Sequence, residues 1–406
     1  MTNHLRLRVA SPSHLRPSFR QISSTRRCPS EKVRPVRQSM VSPAIETAPD
    51  AGRILVISLA GIGDTLIATP FLHELRANFP DATIDAFVLW AGSKDLLEGN
   101  PHLNAIHQKN LIKEGAIKSL PFLLELRRRR YDISINVHTM GRIHYRAVAR
   151  FIGARLRLSH EYEHHGWLDR LLVNRTVPQD YSVHSVENNN RLLALLGKKP
   201  LRPTHEFEVF LTPEETKWAD DFLAANQLTS RKRLGLHIGS GGTKNLRLKR
   251  WPFAHWRELI QRLNHSHPDL GILLFGGPEE QKEHEQILQA SQGRLIFAPP
   301  TRNLRQAAAL LKHLDCFLSV DTALMHLAAA MKVPNQIVIE APTLNPTNVP
   351  WQTNYRVLRN LVVNGRNLDY YRYDGRPIKG TDAELLRCMA SITVDEVHAA
   401  VSEALR

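Results

Sequence analysis

The sequence is poor in cysteine and in long apolar runs, and both shortages narrow the class of protein. Its three cysteines, Cys28, Cys316 and Cys388, are too few and too widely spaced for a disulfide framework or a four-cysteine zinc site. It contains no uninterrupted run of about 18 apolar residues, which argues against a membrane-spanning helix. With 42% hydrophobic and 23% charged residues, the chain is typical of a soluble globular protein of the reducing cytosol.

Acidic residues are scarce relative to basic ones, and the imbalance is uneven. The formal net charge is +15, of which residues 1–50 supply +6 from nine Lys and Arg against three acids. This balance favours anionic partners, such as a phosphorylated substrate or an anionic membrane surface. The first fifty residues are rich in Ser, Pro and Arg without an apolar period, so we expect a disordered extension. A targeting segment and a dispensable upstream extension are the alternatives for it.

From Arg53 onward, short β-rich runs alternate with helical segments, which predicts parallel βαβ units. The alternation of strands and helices is interrupted by the proline-rich stretch after Gly197 and begins again with "RLGLHIG". We therefore predict an α/β protein of two Rossmann-like domains facing across a cleft. The predicted domains are residues 51–212 and 213–390, with a C-terminal helix over 391–406 that Thr393 and Glu396 begin as a capping box.

Three strand-end segments carry candidate chemistry, and the first is "LAGIGDT" after the opening strand. Its glycines permit a tight turn and a close approach of a ligand to the backbone. Asp64 is interpreted either as the N-cap of the next helix or as a general base toward a substrate hydroxyl. A dinucleotide fingerprint would need a third glycine where Leu66 stands.

The other two segments begin the second half and have phosphate-binding character. In "HIGSGGTKNLRLKRWP", Ser240, Gly241 and the backbone N–H groups are suited to phosphate oxygens, with Lys244, Lys249 or Arg250 adding positive charge. The segment lacks the GK[ST] ending of a nucleoside triphosphatase loop. In "SVDTALMHLAAAMKVP", a buried strand leads through Asp321 and Thr322 into a helix start suited to a pyrophosphate.

Together these blocks resemble glycosyltransferase family 9, the lipopolysaccharide heptosyltransferases of the two-domain GT-B fold. The resemblance runs from about Arg53 to the C-terminus and is most specific in "GIGDTLIATP", the "HIG…KRWP..HW" block, "FGGPEE" and "SVDTALMHLAAAMKVP". It implies transfer of a heptose from an ADP-activated donor to a sugar hydroxyl of the lipopolysaccharide core, with inversion, no cofactor and no essential metal. The sequence contains no DxD metal motif.

The resemblance also implies roles for individual residues. Asp64 matches the general base and Lys249 the lysine that contacts the pyrophosphate, and both are predicted to be catalytic. The predicted donor contacts are Ser240, Gly241, Glu280 (or Glu279), Asp321, Thr322, Ala323 and His326. The predicted acceptor contacts are Gly63, His138 and Arg142.

The chain departs from the family pattern beside the predicted donor-sugar pocket. Ala323 replaces the usual glycine, and "IEAPTLNP" (residues 339–346) replaces the usual "FGPTDP". The donor sugar is therefore left open. Tyr370, Tyr371 and Tyr373 either stack on a sugar or pack in the core, and we favour packing.

Two other functions compete with the glycosyltransferase. One is a nicotinamide-dependent oxidoreductase, and the other is a non-catalytic nucleotide-sugar-binding protein. We expect a cytoplasmic enzyme with an ADP-sugar donor, a lipopolysaccharide core or related glycan acceptor and no nucleic acid partner. Peripheral contact with the anionic inner face of the cytoplasmic membrane is a further candidate. We interpret the "RRRR" run at Arg127 to Arg130 first as the solvated end of a helix and second as a source of charge toward anionic lipid or core phosphates.

Overall fold

The structure is a computed structural model that describes residues 52–240, 246–291, 293–373 and 376–406. The predicted extension over residues 1–50 lies outside these ranges, and so do Gly241 and Lys244 of the glycine-rich loop. Within the described ranges, each helix is too short or too polar to cross a bilayer.

The first sheet is built from short runs of β-branched and other apolar residues, which suit strands covered on both faces. Its strands are β1 (Arg53–Ser58), β2 (Thr83–Val88), β3 (Ala105–Gln108), β4 (Ile133–Asn136), β5 (Leu156–Glu161) and β6 (Arg175–Pro178). Its helices are α1 (Ile62–Ile67), α2 (Thr69–Asn78), α3 (Ala91–Leu97), α4 (Leu111–Arg128), α5 (Ile143–Ile152), α6 (Trp167–Leu172) and α7 (Ser185–Asn190), and a 3-10 turn follows at Arg191–Leu196. We call this part of the chain, residues 53–196, the first lobe.

The second sheet repeats the alternation after residues 198–212, which we call the crossover. Its strands are β7 (Arg233–His237), β8 (Gly271–Phe275), β9 (Ile296–Phe297), β10 (Cys316–Ser319), β11 (Asn335–Ile339) and β12 (Tyr355–Leu358). Its helices are α8 (Pro213–Ala225), α9 (Phe253–Ser266), α10 (Gln281–Ala290), α11 (Leu304–Leu311), α12 (Ala323–Ala330), α13 (Asn367–Tyr370), α14 (Asp382–Ala390) and α15 (Val394–Ala404). Short 3-10 turns lie at Leu246–Lys249, Pro278–Glu280 and Pro346–Asn348. We call residues 213–406 the second lobe.

Both sheets are parallel and share one strand order. The first runs β3-β2-β1-β4-β5-β6 and the second β9-β8-β7-β10-β11-β12. This is the order of the doubly wound nucleotide-binding fold, in which ligands bind beyond the carboxyl ends of the strands where the order reverses. The reversals fall between β1 and β4 and between β7 and β10. The predicted architecture of two Rossmann-like α/β lobes is thereby confirmed.

Apolar residues cover both faces of each sheet, and one cluster continues from lobe to lobe. Alternate residues of β1 enter different clusters, with Ile54 on one face and Leu55 on the other. A further cluster combines Leu66, Ile67 and Leu96 of the first lobe with apolar residues of α8, α11 and α12, among them Leu223, Leu310 and Leu327. We call this cluster the shared core. Because it spans the two sheets, it fixes α1 against α12.

The crossover is fastened to the first lobe by buried hydrogen bonds. The carboxylate of Glu74 in α2 is fully buried and accepts from the backbone N–H groups of Leu201 (2.7 Å) and Arg202 (3.0 Å). The backbone N–H of Glu208 donates to the Thr69 hydroxyl at 3.0 Å. These contacts satisfy buried polar groups that would otherwise destabilise an irregular segment.

The C-terminal helix begins as the sequence predicts. The Thr393 hydroxyl accepts from the Glu396 N–H at 3.3 Å, and the Glu396 carboxylate accepts from the Thr393 N–H at 2.9 Å, which completes the capping box. Val397 and Val401 of this helix lie in the core of the second sheet. The predicted segment 391–406 is therefore a packed part of the second lobe.

Candidate active site

A cavity of about 890 Å³ lies where the two sheets present the carboxyl ends of their central strands to each other. Its lining comes from the segments after β1 and β4 in the first lobe and after β7, β8 and β10 in the second. Among the lining residues are Gly61, Gly63, Asp64, Arg142, Tyr145, Ser240, Lys249, Glu280, Asp321, Thr322, Ala323, His326, Tyr371 and Tyr373. The geometry thus brings together ten of the twelve predicted site residues.

Asp64 stands in the first turn of α1 and not ahead of the helix, which corrects its predicted place as the N-cap. Gly61 is the cap, and the Asp64 carboxylate reaches back to accept from the Gly61 N–H at 2.7 Å. Since glycine has no side chain, only this half of a capping box forms. The negative charge is stabilised by the positive end of the helix, while the side chain also lines the cavity.

Lys249 and the start of α12 place positive charge on the opposite wall. Lys249 is buried, and its Nζ lies 3.5 Å from the Asp321 carboxylate. Thr322 is the N-cap of α12, but its hydroxyl makes a 3.0 Å hydrogen bond with Nδ1 of His237 and no bond with the helix backbone. The N–H groups of the first turn therefore lack their usual side-chain cap, and such groups suit an anion.

His237 and His326 are neutral parts of this wall. Burial lowers the pKa of His237 to about 3, with the nearby charges of His284, Arg250 and Lys249 acting in the same direction. Burial likewise lowers the pKa of His326 to about 4. His326 meets the other lobe, because a Cβ at Gly63 would lie 2.8 Å from its Cδ2 atom. The glycine is needed here for close approach of α1 to α12.

Glu280 is held at the cavity edge by a network that includes Arg250. The Arg250 guanidinium contacts the Glu280 carboxylate at 2.7 Å and donates to the Ser240 hydroxyl at 3.1 Å. The other Glu280 oxygen accepts from the Gly277 N–H at 2.9 Å. Gly239 makes room for this carboxylate, since a Cβ there would lie 2.2 Å from it. Three cations are proposed for this loop. Arg250 is bound to Glu280 and Ser240, Lys249 lines the cavity, and Lys244 lies outside the described residues.

The pKa of Tyr371 is raised in part by acidic residues of both lobes. Burial raises its pKa, and the charges of Asp64 and Asp321 raise it further. Burial also raises the pKa of Tyr373, and the same two carboxylates add to the effect. Coulomb interactions of this kind fall off with distance. Asp64 of the first lobe and Asp321 of the second both line this cavity.

Comparison with known proteins decides the family. The model of "Glycosyltransferase family 9 (heptosyltransferase)" matches residues 121–370. The chain belongs to glycosyltransferase family 9. It is accordingly a glycosyltransferase, which supports the expected enzyme class over an oxidoreductase or a non-catalytic binding protein.

Individual relatives and solved structures agree with this membership. The chain is 26% identical over 292 residues to lipopolysaccharide heptosyltransferase 3 of Escherichia coli, covering 67% of this chain and 78% of the relative. It is 25% identical over 328 residues to lipooligosaccharide heptosyltransferase 2 of Haemophilus ducreyi, covering 77% and 90%.

The solved structures establish the fold. A family 9 glycosyl transferase of Veillonella parvula superposes with a TM-score of 0.67 at 20% identity, covering 88% of this chain and 99% of that one. The ADP-heptose lps heptosyltransferase II of E. coli superposes with a TM-score of 0.63 at 22% identity, covering 87% and 98%. These likenesses confirm the expected GT-B arrangement of two Rossmann-like lobes.

The structure does not support the prediction that His138 contacts the acceptor. Its side chain is fully buried, and Nδ1 hydrogen-bonds to the Tyr162 hydroxyl at 2.9 Å. Its ring packs edge-on against Tyr373, with the centroids 5.4 Å apart. His138 therefore supports the cavity wall from behind, where it cannot touch an acceptor. Arg142, four residues later, does line the cavity.

The tyrosine segment closes the glycosyltransferase cavity from the second lobe. Tyr373 packs as expected, since it is buried against His138, but both Tyr371 and Tyr373 also line the cavity. Arg376 lines it as well and forms an ion pair with Glu163 of the first lobe at 3.2 Å. Sequence reasoning missed Arg376 and Arg302, because lone arginines in loops carry no pattern that would mark them.

The segment that departs from the family pattern carries neutral polar groups at the second-lobe wall. Thr343 and Asn348 line the cavity. Thr343 Oγ1 is buried without a hydrogen-bond partner among the described residues. Buried polar atoms of this kind are costly unless a ligand or water satisfies them, and sugar hydroxyls are suitable partners.

Proposed function

We propose that this family 9 enzyme transfers a heptose from an ADP-activated donor to a hydroxyl of a lipopolysaccharide core, with inversion at the anomeric carbon. The donor and acceptor classes come from the names of the relatives, lipopolysaccharide heptosyltransferases among the sequences and an ADP-heptose heptosyltransferase among the structures. One observation carries the proposal for this chain. Asp64 of the first lobe and Lys249 with the α12 start of the second line the same cavity.

In the proposed reaction, the Asp64 carboxylate removes the proton of the acceptor hydroxyl as its oxygen attacks the anomeric carbon. The new C–O bond forms on one face of the sugar while the bond to the ADP oxygen breaks on the other, so the configuration inverts. The electron pair of the broken bond leaves with ADP. General-base assistance of this kind typically contributes ~10²- to 10⁴-fold in rate.

The departing ADP gathers negative charge, and the second lobe is arranged to stabilise it. Lys249 supplies a buried cation, and the N–H groups at the α12 start supply oriented dipoles. Preorganised donors in a site from which water is excluded are worth far more than in solution, at ~3 kcal/mol for one donor. Asp321 forms an ion pair with Lys249, and we assign it the contact with the donor sugar. Metal independence is part of the proposal, because these groups carry the charge stabilisation within the chain.

Titration calorimetry with ADP, UDP and GDP sugars tests the donor. We expect ADP-heptose to bind tightest and Lys249→Met to weaken it. Preference for another nucleotide would overturn the donor assignment. Transfer is measured separately, with heptose-deficient lipopolysaccharide as acceptor and NMR of the anomeric proton to read the configuration. Retention of configuration would overturn the single-displacement mechanism, and full turnover in EDTA is the expected result for a metal-independent enzyme.

We further propose that the enzyme makes peripheral contact with the cytoplasmic face of a membrane through the first lobe. Ile117 of α4 and Trp167 and Leu171 of α6 are exposed by 89%, 71% and 60%, and large exposed apolar groups often mark interaction sites. Arg170 between them adds positive charge for an anionic surface. Sedimentation with phosphatidylglycerol vesicles tests this part, and we expect Trp167→Glu to reduce it while Leu361→Glu, at a position of the second lobe that is 85% exposed, does not. Equal sedimentation of wild type and Trp167→Glu would contradict it.

A further inference from the structure

A second cluster of chemically capable side chains lies where the crossover meets the first lobe. His73 Nδ1 is 2.6 Å from one oxygen of Glu208, and His102 Nε2 is 3.1 Å from the other. The three ligand atoms all lie within 4.8 Å of one another. His73 comes from α2, His102 from the loop before β3 and Glu208 from the crossover, so residues distant in sequence converge on one point. The described lining of the active-site cavity includes none of the three.

The Glu208 carboxylate lies between the two imidazoles, with one oxygen facing each ring nitrogen. A carboxylate oxygen and imidazole nitrogens gathered at one point are donor groups that a divalent transition-metal ion accepts. The carboxylate is also enclosed, since 16% of the Glu208 side chain and 11% of His102 are exposed.

The two imidazole rings lie against each other beside the carboxylate. The imidazoles of His73 and His102 are stacked, with centroids 4.0 Å apart and an angle of 29° between their planes. Arg202 lies 3.4 Å from the Glu208 carboxylate and opposes a cation. Its guanidinium shares that carboxylate, so the two histidines must supply much of the binding.

We propose that His73, His102 and Glu208 bind one divalent transition-metal ion, with Zn²⁺ as the first choice. Two imidazole nitrogens and one carboxylate oxygen form a donor set that zinc accepts in proteins. The ion replaces the proton that the Glu208 and histidine atoms otherwise share. It joins the crossover to α2 at a second point beyond the Glu74 hydrogen bonds, and water completes its coordination. Its role is structural, because it holds the segment that connects the lobes.

The test uses the full-length protein stripped with EDTA and titrated with ZnCl₂ against a chromophoric chelator. The chain has 20 histidines, so the variants His73→Gln, His102→Gln and Glu208→Gln must locate the ion. The controls are His265→Gln, an exposed histidine of α9, and Glu206→Gln, two residues from Glu208 and paired with Lys332. Titration with Co²⁺ alone reports ligand type through its visible absorption.

We expect one tight Zn²⁺ equivalent in the wild type and both controls. Each of the three variants should bind at least 10- to 100-fold more weakly, which is the typical effect of losing even an outer-shell partner. Zn²⁺ should also raise the Tm of the stripped wild type, because it binds the folded site more tightly than the unfolded chain. The proposal is overturned if the stripped wild type takes up no stoichiometric equivalent. It is equally overturned if all three variants retain that equivalent undiminished. Since the first outcome needs only wild-type protein, a variant that fails to fold leaves the test intact.

Discussion

Replacing Asp64 by asparagine separates its two functions, because the substitution keeps an oxygen at the same place and removes the charge. The Gly61 N–H can still donate to that oxygen, so the turn after β1 should survive. The lost interaction between the carboxylate and the positive helix end is worth about 0.3–1 kcal/mol of stability. The lost general base should lower kcat by ~10²- to 10⁴-fold. At about 1.36 kcal/mol per tenfold, this is a barrier change of about 2.7–5.4 kcal/mol.

The assay compares three quantities in the wild type, Asp64→Asn and Asp64→Ala. These are kcat at saturating donor and acceptor, donor affinity by calorimetry, and the free energy of unfolding in urea. Asp81→Asn, at an exposed position after α2, is the control for an unrelated carboxylate. We expect Asp64→Asn to lose turnover while keeping donor affinity and most of its stability. A kcat within about threefold of wild type would refute the role of Asp64 as base. A loss of kcat that only follows the unfolded fraction would refute it too.

Three further predictions follow from the same structure. Lys249→Met should reduce donor affinity and lower kcat by ~10²- to 10³-fold, the typical effect of losing one charge-stabilising donor, and unchanged values in calorimetry and turnover would contradict this. Gly63→Ala should destabilise the fold by about 1–3 kcal/mol in urea unfolding, because the new Cβ meets His326. Adding His326→Ala should restore part of that loss, and strict additivity would count against the contact. Acid should destabilise the protein through histidines that are buried and neutral, whose pKa values burial lowers to about 3 or 4: His160, His184, His237 and His326. Since the unfolded chain takes up these protons near pH 6.5 and the folded chain does not, stability should be full above that pH. It should fall toward pH 4 by about 1.4 kcal/mol per pH unit for each histidine, and a urea midpoint that stays constant from pH 7 to 5 would disprove the effect.

The sequence predicts the fold and the three strand-end segments well, because both follow from local patterns. Apolar runs alternating with amphipathic helices indicate parallel sheets. The capping box is recognised from Thr393 followed three residues later by Glu396. Strands without a clear apolar pattern are predicted less well. The short edge strands β3, β6 and β12 contain polar residues and no sustained period, and the expected strand at "RLIFAPP" is reduced to Ile296–Phe297.

The parts of the site that sequence reasoning places wrongly depend on tertiary contacts. His138 follows a central strand as a ligand contact would, yet Tyr162 and Tyr373 enclose it. Asp64 is a residue type that favours the N-cap position. Gly61 is the N-cap instead, because the helix begins earlier, at Ile62. Arg250 and Lys249 are adjacent cations in the sequence, but Arg250 pairs with Glu280 and Lys249 with Asp321. Such distinctions require knowing which residue lies opposite, which the order of residues alone does not reveal.

The shared core has a practical consequence for anyone dividing this protein into fragments. Leu66, Ile67 and Leu96 of the first lobe are buried in one cluster with Leu223, Leu310 and Leu327 of the second lobe. Two fragments divided within residues 198–212 and expressed separately would each expose apolar residues of this cluster to water. We expect such fragments to precipitate when produced singly and to recover solubility when co-expressed, so neither half is a sound starting point for isolated-domain work.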